Sequence, residues 1–273
     1  ARPRIDGSRR LRGFMARRVV AKAPVRLDFA GGWTDVAPYT HDFGGEVVNL
    51  AIDKYAHATL EVDDEGILSV SYTCDVPIGS GLGTTGAINV ALLAAITAME
   101  ESEQGRKAVA EQAFQFESLL GNRGGRQDQM AASLGGWNHL MFIGDDVETM
   151  PMDALTCATK WLQRQLVVVD SRIPHVSGDL HSGIWSRYDA GDSQVKDGLM
   201  AIRMAARTMA NGIQNDRRDQ VVEALNEVCR GVDLLDVGLH EPFRVVIDPL
   251  LESKAVLGWK ALGAGGGGCA MLL

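Results

Sequence analysis

The run Pro77-Ile78-Gly79-Ser80-Gly81-Leu82-Gly83-Thr84-Thr85-Gly86 leads straight into the apolar stretch Ala87–Met99. Three glycines at alternate positions let backbone N–H groups approach an anion, because no Cβ stands in the way. Two hydroxyls follow where a helix should begin, and a helix start carries free N–H groups and a partial positive charge. This suits a loop that cradles phosphate, with a Thr hydroxyl available to Mg²⁺; the plainer alternative is a glycine-rich turn capping a helix. It is not a P-loop, which needs a Lys ahead of the hydroxyl. Nor is it G-x-G-x-x-G, because its third glycine comes one residue early.

Other constellations carry a chemical and a bland reading each. Gly124-Gly125-Arg126-Gln127-Asp128-Gln129 places a carboxylate in the first turn of a helix, as a cap or as a general base for a substrate hydroxyl. Arg126 beside it could steady charged phosphates. Glu117 ends a predicted helix, where a carboxylate opposes the helix dipole unless a hard cation is bound; otherwise it is a solvated surface residue. Arg26 alternates with Val25, Leu27 and Phe29 on a strand, so it is half-exposed or a buried cation serving a site. Asp35 reads as a turn residue. Residues 263–268 hold five glycines, more than a hairpin needs, which predicts close approach to a ligand or a flexible lid. Asp170, His175 and His181 match no metal template, and Met200, Met204 and Met209 read as core filling.

The elements that must position these residues are strands at 19–31, 46–54, 56–61, 68–74 and 166–170, and helices at 87–100, 107–119, 126–134, 194–212 and 217–235. Strands first and helices on one side predict an α+β fold. A second half starts near Met150-Pro151, giving domains 16–150 and 151–273; the basic residues 1–15 read as a flexible arm or a remnant foreign to the domain, not a secretory signal. Ending inside an apolar strand predicts a missing tail or omitted loops. The chain of 273 residues, 46% apolar and 23% charged, has a globular, soluble composition. No apolar run reaches the ~18 residues of a membrane span. Its net charge of −8 argues against nucleic acid. Four cysteines (Cys74, Cys157, Cys229, Cys269) without metal-ligand spacing fit a reducing cytoplasm.

Three ordered segments resemble the GHMP kinase family: 23–35 (A-P-V-R-L-D-F-A-G-G-W-T-D), 77–85 (P-I-G-S-G-L-G-T-T) and 262–268 (L-G-A-G-G-G-G). The likeness extends over most of 16–273. Within the family, A-G-G-W-T-D with G-G-R-Q-D-Q is most similar to the D-glycero-D-manno-heptose 7-phosphate kinases, with the fucokinases next. The resemblance implies an N-terminal α/β domain, a ferredoxin-like C-terminal domain and ATP in the cleft between them. It implies a cytoplasmic carbohydrate kinase that moves the γ-phosphoryl of ATP, with Mg²⁺, to the anomeric hydroxyl of a heptose 7-phosphate, for nucleotide-sugar synthesis. A kinase of fucose or another free sugar is the alternative, and a non-catalytic sugar- or ATP-sensing homologue a further one.

Carried over residue by residue, the resemblance implies that Pro77, Gly79, Ser80, Gly81, Leu82, Gly83, Thr84 and Thr85 wrap the ATP phosphates. Thr85 and Glu117 would hold Mg²⁺. Asp128 would face the sugar hydroxyl as base or orienting acceptor, with Arg26 favouring its charge and stabilising the transferring phosphoryl. Gly32, Trp33, Asp35 and Arg126 would meet the sugar, and Gly265 and Gly266 would close over the substrate end. One of Arg123, Arg126 and Arg172 is expected to anchor a distal phosphate. Thr84-Thr85 departs from the usual Ser pair, Trp33 replaces a Gly common in the heptose kinases, and Val62–Cys74 is short for the family, as is the C-terminus. The expected partners are ATP and a small sugar, with no nucleic acid and no membrane; no residue here sets the oligomeric state.

Overall fold

A computed structural model of the chain describes residues 4–6, 17–97, 100–121, 124–173 and 177–273. They form two compact units, one of residues up to Arg26, Leu50–Ile78 and Gly83–Gly136, the other of Leu27–Asn49, Gly79–Leu82 and Trp137–Leu273.

β1 (Arg4–Asp6) pairs antiparallel with β2 (Arg17–Ala30), Arg4 opposite Lys22; β2 belongs to the first unit up to Arg26 and to the second from Leu27. From Ala23 onward β2 is buried on both faces, so its polar face is covered as fully as its apolar one. After the short helix α1 (Tyr39–Asp42) of the second unit comes β3 (Gly45–Val62), a single strand of 18 residues where the sequence predicts two; it belongs to the second unit up to Asn49 and to the first from Leu50. No Gly or Pro interrupts it at Tyr55, so the pairing continues. It turns through Asp63, whose Oδ1 accepts the N–H of Glu65 and Ile67, into antiparallel β4 (Leu68–Cys74). Three helices complete the unit: α2 (Thr84–Thr97), α3 (Glu103–Leu119) and α4 (Gln127–Leu134), each packed on the other two. α2 buries Ala87, Val90, Ala91, Ala94 and Ala95, small side chains that let its neighbours approach, while Ile96 near its end stays exposed. α3 begins earlier than the sequence predicts, because the Ser102 hydroxyl caps it by accepting the Gly105 N–H.

The second unit holds the hairpin of β5 (Trp137–Ile143) and β6 (Asp146–Met150). The main sheet has the order β1-β2-β3-β5-β6, with β4 also on β3. Then follow α5 (Thr156–Gln165), β7 (Val167–Asp170), α6 (Ser177–Asp189), α7 (Ser193–Gln214), α8 (Arg218–Leu235), a 3-10 turn (Val237–Leu239), α9 (Glu241–Glu252), β8 (Trp259–Ala261) and β9 (Cys269–Leu272). The last strands form an antiparallel sheet β7-β9-β8 over a core of Phe243, Ile247, Trp259, Ala270 and Leu272. α7 and α8 cross closely because Gly198 and Gly231 meet: a Cβ on Gly198 would fall 2.7 Å from the Gly231 carbonyl oxygen. The fold is α+β as expected, and α7 and α8 match their predicted bounds within two residues. No described helix is long and apolar enough to cross a membrane.

Candidate active site

The first unit gathers charge at the start of α2. Arg26 is 3% exposed, and its guanidinium donates to Asp128 Oδ1 from Nε (2.9 Å) and Nη2 (2.7 Å). A buried cation needs a partner, and Asp128 in the first turn of α4 supplies one while its own side chain stays 30% exposed. The glycines of the loop make room for this pair. A Cβ on Gly83 (φ +71°) would lie 3.2 Å from Asp128 Cγ and 3.3 Å from Arg26 Cγ; one on Gly86 would lie 2.8 Å from Asp128 Cβ. The free N–H end of α2 therefore comes up against a carboxylate paired with a buried Arg. Thr84 is buried and Thr85 exposed.

Glu117 is buried, not on the surface. Its Oε1 accepts from Asn89 Nδ2 of α2 at 2.9 Å and Gln129 Nε2 of α4 at 3.0 Å. Neutral amides orient a carboxylate without cancelling its charge. Asn89 lies four residues after Thr85, on the same face of α2, and Gln129 follows Asp128, so α4 presents neighbouring residues to both acidic groups. No three His, Cys, Asp or Glu side chains cluster among the described residues. A carboxylate together with a hydroxyl would be a hard-oxygen set of the sort Mg²⁺ takes, since this ion keeps waters and phosphate oxygens for its other positions.

In the second unit, Gly79–Leu82 lies back to back with the C-terminal glycines. Cys269 N–H donates to the Ser80 carbonyl at 2.8 Å. A Cβ on Gly81 would fall 2.3 Å from the Leu262 oxygen, and one on Gly268 would fall 2.8 Å from Ser80. Gly265 (φ +85°) would meet the Leu239 oxygen at 2.9 Å, and the Gly266 N–H donates to it at 2.7 Å. These glycines thus permit chain to approach chain. Space is open beside Gly79 (φ +79°), and the buried Ser80 hydroxyl has no hydrogen-bond partner among the described residues.

The turn after β2 is clamped to β3. Thr34 Oγ1 lies 2.7 Å from the Gly31 carbonyl and accepts the Glu46 N–H at 3.1 Å; a Cβ on Gly31 would fall 1.9 Å from the Glu46 oxygen. This holds Gly32, Trp33 and Asp35, all buried. Trp33 adopts a positive φ of 83° and stacks on His181, ring centroids 4.2 Å apart. Glu46 is buried between His139 (2.9 Å) and Arg207 (2.7 Å). Burial pushes its pKa up, but the hydrogen bonds and charges of His139 and Arg207 outweigh this and hold it below the ordinary value. Asp28, fully buried, pairs with Lys260 Nζ at 2.7 Å. Sequence reading leaves Lys260 and Glu46 unnoticed; two charged residues amid apolar strands were the available signal.

Of the arginines considered for a distal phosphate, Arg126 is buried, donates to Glu111 Oε2 at 3.0 Å and covers the Phe114 ring at 4.0 Å, tying α4 to α3. Arg172 is exposed, its N–H bonded to Asp170 Oδ1 at 2.8 Å. Arg123 and His175 lie outside the described residues.

The chain matches the family model of the GHMP kinases N terminal domain over residues 46–136, which include the glycine loop, Glu117 and Asp128. It is 24% identical to the bifunctional fucokinase/GDP-fucose pyrophosphorylase of Arabidopsis thaliana over 96% of this chain, which spans 30% of that protein. It is 23% identical to the D-glycero-alpha-D-manno-heptose 7-phosphate kinase of Campylobacter jejuni, over 90% of this chain and 86% of that one. The crystal structure of a D-glycero-D-manno-heptose 1-phosphate kinase from Bacteroides thetaiotaomicron superposes with a TM-score of 0.73 at 20% identity, covering 93% of this chain and 87% of that one. The fold is that of the GHMP kinases.

Proposed function

We propose that this chain, which carries the GHMP kinases N-terminal domain, is an ATP-dependent sugar kinase acting on the anomeric hydroxyl of a heptose 7-phosphate in the cytoplasm. The observation that carries the reading is the Arg26–Asp128 pair packed against Gly83 and Gly86 at the start of α2. Phosphoryl transfer asks a protein chiefly for positioning and for neutralised charge. The backbone N–H groups of the Gly79–Thr85 loop hold the ATP phosphates, and the orphaned Ser80 hydroxyl fits a phosphate oxygen. Thr85 and Glu117 would hold Mg²⁺, which when bound would neutralise phosphate charge. Asp128 accepts or orients the proton of the attacking hydroxyl, and Arg26 fixes the carboxylate and faces the transferring charge. Gly32, Trp33 and Asp35 are assigned to the acceptor sugar. The cytoplasm suits the four free cysteines.

Survival of Asp128, Arg26 and Glu117 together speaks against a non-catalytic homologue. The Arabidopsis relative keeps a free-sugar reading in view. An ATP-consumption screen over heptose 7-phosphate, free heptose, mannose and fucose decides between them: fastest turnover is expected on the heptose phosphate, and preference for free fucose replaces that substrate. Asp128→Asn keeps an oxygen acceptor for Arg26 and removes the charge. Turnover per folded molecule should fall roughly a hundredfold or more. A near wild-type rate removes the base from Asp128.

A further inference from the structure

Arg203 on α7 is half-buried, and no carboxylate pairs with it among the described residues. Its Nε is shielded from solvent and lacks a hydrogen-bond partner there, and an Nη2 lies 3.8 Å from where a Cβ on Gly44 would be. One turn further along α7, Arg207 is by contrast spent on Glu46. Tyr39, a residue 1% exposed, has a buried hydroxyl without a hydrogen-bond partner among the described residues, and the Arg203 charge acts on it. Burial pushes the Tyr39 pKa up, against the opposing pull of the Arg203 charge. Next to it on α1, Thr40 is 2% exposed and its hydroxyl has no partner among the described residues. Buried polar groups are ordinarily hydrogen-bonded, so these hydroxyls and this guanidinium are able to take a polar partner.

A cation with no carboxylate partner among the described residues, close to buried hydroxyls, is the chemistry that recognises an anion, and a guanidinium matches a phosphate best. The place in the second unit adds a direction. Tyr39 follows Asp35 by four residues, which reach at most about 14 Å even when extended. A line of rings joins the two: Trp33 to Trp185 at 6.3 Å, Trp185 to Tyr188 at 5.6 Å, and Tyr188 to Tyr39 at 6.2 Å. We infer that Arg203 and Tyr39, with Thr40 beside them, form an anion site that takes the phosphate monoester at the far end of the acceptor sugar. This rests on the sugar-kinase reading for the identity of the acceptor, and on the residues above for the anion. It puts the distal anchor on α7, in place of the three arginines expected from the sequence.

The test is calorimetric binding of heptose 7-phosphate, free heptose and inorganic phosphate, with a non-hydrolysable ATP analogue present. The proteins are wild type, Arg203→Met, Arg203→Lys and Tyr39→Phe, each checked for its fold by circular dichroism. Wild type should prefer the phosphorylated heptose over the free one. That ratio should fall about tenfold or more in Arg203→Met, as expected for loss of a charged hydrogen bond, and recover in part in Arg203→Lys. Tyr39→Phe should lower it by a few fold. An unchanged ratio in folded Arg203→Met overturns the site, as does, where that variant does not fold, an unchanged ratio in both Arg203→Lys and Tyr39→Phe. So does inorganic phosphate binding as tightly as the heptose phosphate, since the ligand is then a free anion. If no sugar supports ATP turnover while the ratio still follows Arg203, the kinase reading fails and the anion site stands.

Discussion

Glu117 is a carboxylate gripped by two neutral amides on the same oxygen, Asn89 and Gln129 both reaching Oε1. Replacing it with Gln keeps an acceptor for both donors and removes only the charge, so the helices should stay in place. The Mg²⁺ concentration for half-maximal activity should rise about tenfold, because one of few charged oxygen ligands is gone. An unchanged Mg²⁺ titration assigns the metal to other residues. Arg26 poses the opposite case: a buried cation whose named partner is Asp128. Removing the Asp128 charge should therefore cost stability as well as turnover, on the order of 1–3 kcal/mol, since the acceptor oxygen remains. For that reason the turnover of Asp128→Asn has to be read per folded molecule.

Elements are held at the distances that their glycines permit. α2 can bring its N-terminal end to Asp128 only because Gly83 and Gly86 lack side chains, and α7 can cross α8 only because Gly198 and Gly231 do. A methyl on Gly198 would meet the Gly231 carbonyl and the side chains of Leu234 and Leu235, none nearer than 2.7 Å or farther than 3.0 Å. Gly198→Ala should gain some intrinsic helix propensity and lose more to overpacking, a net destabilisation of roughly 1–3 kcal/mol. A denaturant midpoint at or above wild type would mean that the helices part at no cost.

At the scale of the whole molecule, acid should unfold the chain through particular carboxylates. Burial raises Glu46, yet His139 and Arg207 hold it below its ordinary 4.5; burial raises Asp233, yet His240 and Arg244 hold it below 3.8. A folded-state pKa below the unfolded one gives stability that is fully present above the unfolded value and lost as pH falls through the folded one. The melting temperature should accordingly hold from pH 6 to about 4.5 and then drop. Glu46→Gln should flatten that drop. If its slope matches wild type, the acid sensitivity arises elsewhere.

Local signals were legible wherever a residue type answers to its own backbone. The glycine loop feeding a helix, Asp128 in the first turn of α4, the strand Leu68–Cys74 and the two long helices of the second unit all follow from φ preferences and apolar period. Arg26 alternating with apolar residues showed that β2 has two unlike faces, but periodicity is silent on what covers a face. The covering groups are Asp128, 102 positions away, and, for Asp28, Lys260, 232 positions away. The same limit explains Glu117, which looked like a surface residue until α2 and α4 closed over it. The five glycines of 263–268 were read as a close approach to a ligand or a flexible lid, and in the structure it is the chain itself, at Leu239 and the Ser80 loop, that Gly265 and Gly268 approach. Arg203 carried no local mark, because an arginine on an amphipathic helix looks solvated until its neighbours are known. Local sequence sets conformation and the wish for a partner; topology, which joins distant residues, chooses the partner.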